Sequence, residues 1–386
     1  MDFRLTDAQR ELQEAARKYA RAEMPPIAEA CEESGAPMPR EQVKKLGEMG
    51  FLGINIPQEL GGLGLGNLEA LLVLEEFAQI SSAAAFPLFE CNVGPVHALV
   101  HFADDALKRE VVPRVCAGEA LVAVSMSEPA AGSALTDLKT RAEVKGGDVV
   151  LNGHKRWCSG AGHADGYVVY ARLSEDAGAR GVGAVYVPCD AAGLSFGAEE
   201  ELMGFRGIPS ADIHLDDVKV PANHVVVPAG GFRKLMEAFD LERCGNATMA
   251  LGQAAGALAD VLDYVQEREQ FGKPLADFQA VQMKLAEMQM RVEAARLLIH
   301  RAAINAEDGL PSILDSSVGK CFSNEIAREV TGSALQLMGG YGYARAYPME
   351  RRMRDAWGWG IAGGSIDIQK VNIAAAMIGR RFDQRR

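Results

Sequence analysis

The chain has 386 residues, of which 48% are hydrophobic and 24% are charged. This length exceeds what one hydrophobic core usually supports, so two or three domains are expected. The formal net charge of -12 leaves no basic excess to neutralise phosphates, which argues against a nucleic-acid partner. No apolar run is expected to span a membrane, and the first residues resemble neither a signal peptide nor a transit peptide.

The seven cysteines are scattered and form no CxxC pair, which indicates a reducing compartment and predicts a cytoplasmic protein. His97 and His101 are four residues apart, but Ala98 stands where a zinc helix of the HExxH type has glutamate. A plain helix face is therefore favoured there, and no metal is expected.

The first third of the chain has helical periodicity. Thr6 and Gln9 have the spacing of a capping box that opens an amphipathic helix from Asp7, and Pro25-Pro26 is expected to end that helix. Three further helices are predicted: Arg40–Met49, Leu68–Gln79 and Ala106–Val112.

The middle of the chain changes to short runs of β-branched and aromatic residues. They are Val149–Leu151, Tyr167–Tyr170, Val182–Val187 and Ile213–Val220. Lys145-Gly146-Gly147-Asp148 favours a hairpin before the first run. Because no helical pattern separates these runs, we expect a β-barrel or sandwich instead of a parallel βαβ sheet.

The last third is helical again. The predicted helices are Gly231–Arg268, Phe278–Glu307, Ser312–Met338 and Gln369–Phe382. The first is unusually long, so an interruption is expected near Gly252–Gly256. The arginines at 380, 381, 385 and 386 are interpreted as a solvated surface.

One stretch of the last third has a pattern that could position a general base on a helix. Apolar residues recur at helical spacing from Phe232 to Phe239, and the stripe continues onto Glu242 and Arg243. Asp240 lies about 100° further round the helix and is expected to reach water. Burial would raise the pKa of Glu242 and the arginine would lower it, and either effect can tune a general base. The alternative is a structural Glu–Arg pair, which is the more common arrangement.

Three groups of segments together resemble the acyl-CoA dehydrogenase family over essentially the whole chain. They are Phe51–Leu65, Ser127–Ser133 with Asn152–Trp157, and Arg268–Gly272 with Gln279 and Gln336–Gly340. The resemblance implies an α+β multidomain protein: an N-terminal helical domain (residues 1–120), a middle β-barrel (121–222) and a C-terminal four-helix bundle (223–386). It also implies a homotetramer, with FAD bound between the β domain and the C-terminal helices of two subunits.

The resemblance assigns cofactor contacts on the β side. Met126 and Ser127 would present backbone groups to the flavin pyrimidine, Trp157 would stack near the ring, and Ser159 would stand at the hydride-accepting N5. Gly132 would meet the pyrophosphate, whereas Ser133 would meet the CoA chain. Taken alone, Trp157 could equally be an aromatic residue of a barrel core.

The resemblance also implies contacts with the FAD of a neighbouring subunit. Arg268 would pair with its pyrophosphate, although an arginine at this place could also be an ordinary surface charge. The other positions matched for that cofactor are Phe271, Gln279, Gln336, Gly339 and Gly340, and further FAD-contacting positions are matched by Ser365 and Asp367. The last of these replaces the family's usual glutamine, and the glycines alone would indicate no more than a helix end.

The family's usual catalytic glutamate is missing. Ala362-Gly363-Gly364-Ser365 occupies the segment that normally carries it, and Gly363 stands at its position. Glu242 instead matches the glutamate of the Leu-Glu-Arg segment that supplies the base in the isovaleryl-CoA dehydrogenase subgroup. The N–H of Gly363 would still hold the thioester oxygen. The resemblance further implies that Phe239, Asp240, Arg243, Ala362, Gly363 and Gly364 contact the substrate.

The resulting hypothesis is an FAD-dependent acyl-CoA dehydrogenase that passes electrons to electron-transferring flavoprotein. Small residues at 362–364 favour a branched, cyclic or aryl-bearing acyl group. No lysine or arginine occurs within Ser81–Asn92, which favours a neutral acyl tail, and Glu90 is either a solvated charge or a pocket residue. A desulfinase-like flavoprotein and a non-catalytic FAD- or CoA-binding scaffold are the alternatives.

Overall fold

The computed structural model describes residues 3–380, in which a helical part, a β part and a second helical part follow one another. Six helices form the first part: α1 Asp7–Ser34, α2 Arg40–Glu48, α3 Asn67–Ala78, α4 Ser82–Asn92, α5 Val96–Phe102 and α6 Asp105–Cys116. The predicted capping box is confirmed, because Thr6 and Gln9 each accept the backbone N–H of the other. The C-terminal arginines at 381, 385 and 386 lie outside the described residues.

Helix α1 does not end at Pro25-Pro26, so that prediction was wrong. The helix runs through both prolines to Ser34. Its buried face includes Ala20, Met24 and Ala28, so burial on both sides of the prolines keeps the chain helical although two backbone hydrogen bonds are lost.

Helices α4 and α5 lie in a segment, Ser82–Phe102, that is apolar and long enough by composition to cross a membrane. Length and composition alone would therefore allow a span at this place. However, 89% of its most apolar stretch is buried inside the protein, and the segment is divided between two helices. We interpret it as the core of the helical part.

The β part is an eight-stranded, mostly antiparallel sheet in the order β6-β7-β3-β2-β4-β5-β8, with β1 pairing in parallel with β4. Its strands are β1 Val122–Ser125, β2 Arg141–Lys145, β3 Asp148–Ser159, β4 Gly166–Arg172, β5 Val182–Pro188, β6 Leu194–Phe196, β7 Ser210–Pro221 and β8 Val225–Val227. The predicted hairpin is confirmed, since Lys145 pairs with Asp148. No α-helix interrupts the strands within residues 122–227.

The last part contains the longest helices of the chain. They are α7 Phe232–Glu267, α8 Gln279–Ile304, α9 Ile313–Met338, α10 Gly340–Tyr343, α11 Met349–Trp359 and α12 Ile366–Ile378. A two-stranded ribbon, β9 Glu269–Gln270 with β10 Lys273–Pro274, connects α7 to α8. Helix α7 packs against α3, α8, α9 and α11, which makes it the central element of this part.

The expected interruption of α7 near Gly252–Gly256 was wrong, because the helix is continuous. The glycines serve packing instead. A Cβ atom at Gly252 would collide with Ala78 of α3, and one at Gly256 would collide with the guanidinium of Arg352 on α11. Bare backbone at both positions therefore lets the neighbouring helices approach α7 closely.

Candidate active site

Glu242 lies on α7, one turn after Phe239, and is 8% exposed. It borders a small cavity. The other lining residues are Gly94, Pro95, Ala98, Val124, Val168, Tyr170, Leu235, Ala238 and Phe239. Glu242 is the acidic group of an otherwise apolar chamber bounded by α7, the α4–α5 connection and the sheet.

Burial raises the pKa of the Glu242 carboxyl to about 8, while the positive charges of Lys320 and Arg243 act in the opposite direction. No hydrogen bond to the Glu242 carboxyl occurs within residues 3–380, and only burial and neighbouring charges shift its pKa. Because neither cation makes a direct bond to it, desolvation is the larger effect. A carboxylate with a pKa in this range can accept a proton near neutral pH.

Arg243 does not pair with Glu242, contrary to the alternative of a Glu–Arg pair. It donates to Asp240, which also accepts a hydrogen bond of 2.7 Å from the hydroxyl of Ser316 on α9. Asp240 is only 3% exposed, so the expectation that it reaches water was wrong. The α7–α9 contact supplies this carboxylate with two donors, which makes its burial tolerable.

The connection from α11 to α12 is held by side chains beneath it. Lys320 Nζ donates to the carbonyl oxygens of Ala362 and Gly363 at 2.5 and 2.6 Å. Gln369 Nε2 donates to the Gly364 oxygen at 2.9 Å. Three consecutive carbonyl groups therefore point into the protein, and the loop is fixed before any ligand binds.

Gly363 adopts a φ of 63°, in the left-handed region that favours glycine. A Cβ atom there would lie 3.0 Å from Lys320 Nζ and 3.8 Å from the ring of Phe239. The loop thus adjoins the Glu242 chamber through Phe239. The N–H of Gly363 donates to no acceptor within residues 3–380, so it remains available to an oxygen atom of a ligand.

Lys320 is a site residue that the sequence reasoning missed. It is fully buried on α9, and burial moves its pKa well below the usual lysine value, while the charge of Glu242 raises it. The available signal was a stripe of polar residues at helical spacing along α9. The stripe comprises Ser316, Ser317, Lys320, Ser323 and Asn324, all buried.

The predicted flavin side lies at the end of β1 and on β3. Met126 and Ser127 directly follow β1, and the carbonyl of Met126 accepts a 3.0 Å hydrogen bond from Lys155 Nζ. Lys155 also bonds to the buried Glu128 at 2.9 Å. This ion pair, which sequence reasoning also missed, fixes the backbone that leaves the strand.

Trp157 stands at an irregularity of the β3–β7 ladder, between Lys155 and Cys158, and has a φ of 61°. It is 52% exposed, so it is not part of the barrel core. A bulge of this kind turns a side chain out of the sheet. Arg156 covers one face of the indole at 4.2 Å, and the half-buried Ser159 ends the same strand.

The remaining sequence-predicted contacts lie on the surface. Gly132 and Ser133 are exposed in the loop after β1. Arg268, Gln279, Gln336, Gly339, Gly340 and Asp367 are exposed as well, and Phe271 is 95% exposed. Ser365 is half-buried, and its hydroxyl caps α12 by accepting the Ile368 N–H at 3.4 Å. Within one chain these residues are far less enclosed than Glu242.

One group outside the chamber has the composition of a metal site. Potential ligand atoms of His154, Asp212 and His214 lie within 4.8 Å of one another on β3 and β7. Asp212 already accepts hydrogen bonds from Arg156 and His154. Since a guanidinium neutralises that carboxylate, we assign no metal to it.

The three parts of the chain match three domains of one protein family. Residues 6–119 match the N-terminal domain of acyl-CoA dehydrogenases, residues 123–218 the middle domain and residues 229–378 the C-terminal domain. The chain belongs to the acyl-CoA dehydrogenase family.

Similar proteins within this family differ in their named activities. A 3-sulfinopropanoyl-CoA desulfinase from Paraburkholderia xenovorans is 38% identical over 100% of this chain and 99% of its own length. A probable acyl-CoA dehydrogenase, fadE25, from Mycobacterium leprae is 35% identical over 97% of both proteins. Membership of the family therefore does not decide whether this protein catalyses dehydrogenation or desulfination.

Solved structures resemble this family member over nearly its whole length. Butyryl-CoA dehydrogenase from Megasphaera elsdenii has a TM-score of 0.93 at 32% identity and covers 98% of this chain and 100% of its own. A glutaryl-CoA dehydrogenase from Mycobacterium smegmatis in complex with FADH2 has a TM-score of 0.92 at 25% identity, covering 98% and 97%.

Proposed function

We propose that this protein is an FAD-dependent acyl-CoA dehydrogenase in which Glu242 removes the α-proton of the acyl group. The observation that carries the proposal is the buried, unpartnered carboxyl of Glu242 in an apolar chamber beside Gly363. A residue without a side chain at 363 cannot act as a base, whereas Glu242 has the pKa and the position to do so.

The surface that would receive FAD suits a large aromatic cofactor. A Cβ atom at Gly132, Gly339 or Gly340 would meet nothing within 4 Å, so the backbone there is open to a close contact. Trp157 presents a half-exposed indole, and stacking on an isoalloxazine ring would cover it. When bound, FAD supplies the acceptor for the β-hydride. Gly132 and Trp157 would hold it from one chain, with Arg268, Phe271, Gly339 and Gly340 contributed by a second copy.

The residues of the chain divide the remaining work. The Gly363 N–H would donate to the thioester oxygen, which acidifies the α-carbon by stabilising the developing enolate. Glu242 would accept the α-proton at its carboxylate. Lys320 would act as a positioning residue, since it holds the carbonyl groups of Ala362 and Gly363 away from the substrate. The chamber excludes water, which strengthens each of these electrostatic interactions.

The expected substrate is an acyl-CoA with a branched, cyclic or aryl-bearing acyl group, and the product is the 2-enoyl-CoA. Bare backbone at Gly363 and Gly364 leaves the α- and β-carbons room for a substituent. Phe239 would line the acyl pocket, whereas Asp240 and Arg243, which bond to each other, would support it from behind. The proposal keeps the domain limits 1–120, 121–222 and 223–386, a homotetramer, a cytoplasmic location and electron-transferring flavoprotein as the acceptor.

Desulfination is the second candidate, because the relative with 38% identity is named a 3-sulfinopropanoyl-CoA desulfinase. Its substrate ends in an anionic sulfinate. No lysine or arginine borders the Glu242 chamber within the described residues, and α4 contains none. An anion without a cationic partner is costly to bury, so the apolar chamber favours dehydrogenation.

The two functions are separated by offering both substrate types to the purified flavoprotein. Isovaleryl-CoA, cyclohexanecarboxyl-CoA and 3-phenylpropanoyl-CoA should bleach the flavin and yield enoyl products, while 3-sulfinopropanoyl-CoA should release no sulfite. Sulfite release without bleaching by any acyl-CoA would instead establish desulfination. Neither reaction, in a protein that contains FAD, would favour a binding scaffold.

A further inference from the structure

A second buried carboxyl group lies close to Glu242, and the proposed chemistry does not use it. Glu90 on α4 is 6% exposed. Its Oε2 atom has no hydrogen-bond partner among residues 3–380. Native proteins rarely leave a buried polar atom unsatisfied, and such an atom often marks a place where a ligand binds.

Glu90 lies close to α7, the helix that carries Glu242. Helix α4 approaches α7 at Gly245, where a Cβ atom would collide with Val93 and crowd Phe89 at 3.0 Å. Glu90 directly follows Phe89, and Glu242 lies three residues before Gly245, so both carboxyl groups stand near the same helix crossing. Consistent with this arrangement, the charge of Glu242 adds to burial in raising the pKa of Glu90.

Glu90 also borders a second cavity, larger than the Glu242 chamber. The walls of this cavity come from α4, β1, the β3–β4 connection and the chain between α1 and α2, and they are mostly apolar. They include Pro37, Met38, Ala83, Phe86, Pro87, Val122 and Ala123. His163 also lines it and is bonded to Glu199 at 2.7 Å. Strand β1 contributes Val122 to this cavity and Val124 to the Glu242 chamber, so the same strand borders both.

The protonation of Glu90 determines what it can recognise. Burial, together with the neighbouring Glu242, holds the pKa of Glu90 well above the usual glutamate range. A neutral carboxyl both donates and accepts a hydrogen bond. No lysine or arginine borders either cavity within the described part of the chain, and nearby Lys320 and Arg243 bond to the 362–363 carbonyl groups and to Asp240. A ligand with a terminal carboxylate or sulfinate would therefore meet no cation at the cavity walls.

We propose that Glu90 is a specificity-determining residue that binds a hydroxyl or oxo group on the acyl chain, beyond the β-carbon. The substrate class is then a branched, cyclic or aryl-bearing acyl-CoA with one neutral oxygen substituent. The inference rests on the proposed function, because the base Glu242 determines which chamber receives the acyl group. Such an oxygen satisfies the unpartnered Oε2 of Glu90, while the apolar walls contact the hydrocarbon.

The test uses acyl-CoA pairs that differ by one oxygen. Suitable pairs are 4-hydroxycyclohexanecarboxyl-CoA with cyclohexanecarboxyl-CoA, and 3-(4-hydroxyphenyl)propanoyl-CoA with 3-phenylpropanoyl-CoA. The kcat/KM of the wild-type protein should favour the oxygenated member of at least one pair. Glu90→Leu should reduce that preference by about tenfold to a hundredfold, the effect of one lost hydrogen bond in a buried site. Glu90→Gln, which can still donate and accept, should retain most of it.

A matched control is Glu76→Gln. Glu76 is also a buried glutamate with a raised pKa, but it pairs with Arg17 on α1, and its replacement should leave the preference unchanged. Equal loss of kcat/KM for both members of every pair in Glu90→Leu would overturn the inference, and so would a wild-type preference for the member without oxygen.

A binding measurement separates failure of this inference from failure of the proposed function. The infrared difference spectrum on adding the oxygenated enoyl-CoA product should contain a shifted C=O band of a protonated carboxyl group. The band should disappear in Glu90→Gln and persist in Glu76→Gln. This readout requires folded protein but no turnover. No bleaching by any acyl-CoA would reject the dehydrogenase, whereas an unchanged carboxyl band would reject the role of Glu90.

Discussion

Arg243 donates to Asp240, three residues earlier on α7, and not to the adjacent Glu242. The arginine therefore neutralises the structural carboxylate, and the carboxyl that faces the chamber keeps no direct counter-charge. Burial then dominates at Glu242 and raises its pKa to about 8. A helix that carries Asp240, Glu242 and Arg243 within four positions thus separates a structural ion pair from a proton acceptor by the direction in which each side chain points.

The first prediction concerns pH. Glu242 accepts a proton only when it is ionised, and its pKa is raised to about 8. The kcat/KM for dehydrogenation should therefore rise with pH through about 8 and fall about tenfold per unit below it. The rate of flavin bleaching by an acyl-CoA substrate, recorded at a series of pH values, measures this pH dependence. A flat profile through pH 7 to 9 would contradict the assigned pKa.

The second prediction concerns Lys320→Met. The positive charge of Lys320 lowers the pKa of Glu242, so its removal should raise that pKa and move the acidic limb to higher pH. The rate at pH 7 should fall about tenfold for each unit of movement. Exposed Lys284 on α8 provides the control, as Lys284→Met should leave the profile in place. If activity falls but the pH dependence of kcat/KM stays at the wild-type position, Lys320 acts only by supporting the 362–364 loop.

The third prediction concerns Gly363→Ala. The left-handed backbone should cost about 1–2 kcal/mol of unfolding free energy, and the new Cβ should displace Lys320, whose Nζ lies 3.0 Å away. Gly379 has a φ of 75°, and a Cβ there would meet nothing within 4 Å. Gly379→Ala should therefore lose similar stability in urea denaturation but retain the bleaching rate. Equal bleaching rates in the two variants would contradict the role of the Gly363 backbone.

The fourth prediction concerns the surface contacts. Exposed Arg268 lies 5.6 Å from the ring of Tyr341 and is proposed to reach the FAD of a neighbouring subunit. Arg268→Ala should reduce the FAD content per chain and weaken the tetramer, measured by absorbance and by light scattering. Arg141→Ala, which removes an exposed arginine paired with Glu175, is the control. Full retention of FAD by the Arg268 variant would contradict the proposed contact between Arg268 and FAD.

The order of helical and β parts could be predicted from the sequence because hydrophobic periodicity changes from helical to strand spacing and back. The limits of single helices were harder to predict. Helix α1 passes through Pro25-Pro26, and α7 passes through Gly252 and Gly256. In both helices, packing against distant parts of the chain outweighs local propensity, and local sequence does not contain that information.

The candidate base at Glu242 was found because the usual position, Gly363, has no side chain. Its surroundings were not found in the same way. Lys320 and Glu90 approach Glu242 from α9 and α4, which are 78 and 152 residues away in sequence. Only the tertiary structure brings these three ionisable groups together. The exposure of Asp240 was mispredicted for the same reason, since its partner Ser316 lies on another helix.

The most direct test is rapid mixing of Glu242→Gln with isovaleryl-CoA, compared with the wild type and with Glu237→Gln. Glu237 is a half-exposed glutamate of the same helix that pairs with Arg233. The account predicts that Glu242→Gln retains FAD and binds the ligand, but that its flavin bleaches at least a hundredfold more slowly, in the range that general bases contribute. Glu237→Gln should bleach at the wild-type rate. Bleaching of the Glu242 variant at the wild-type rate would contradict the account.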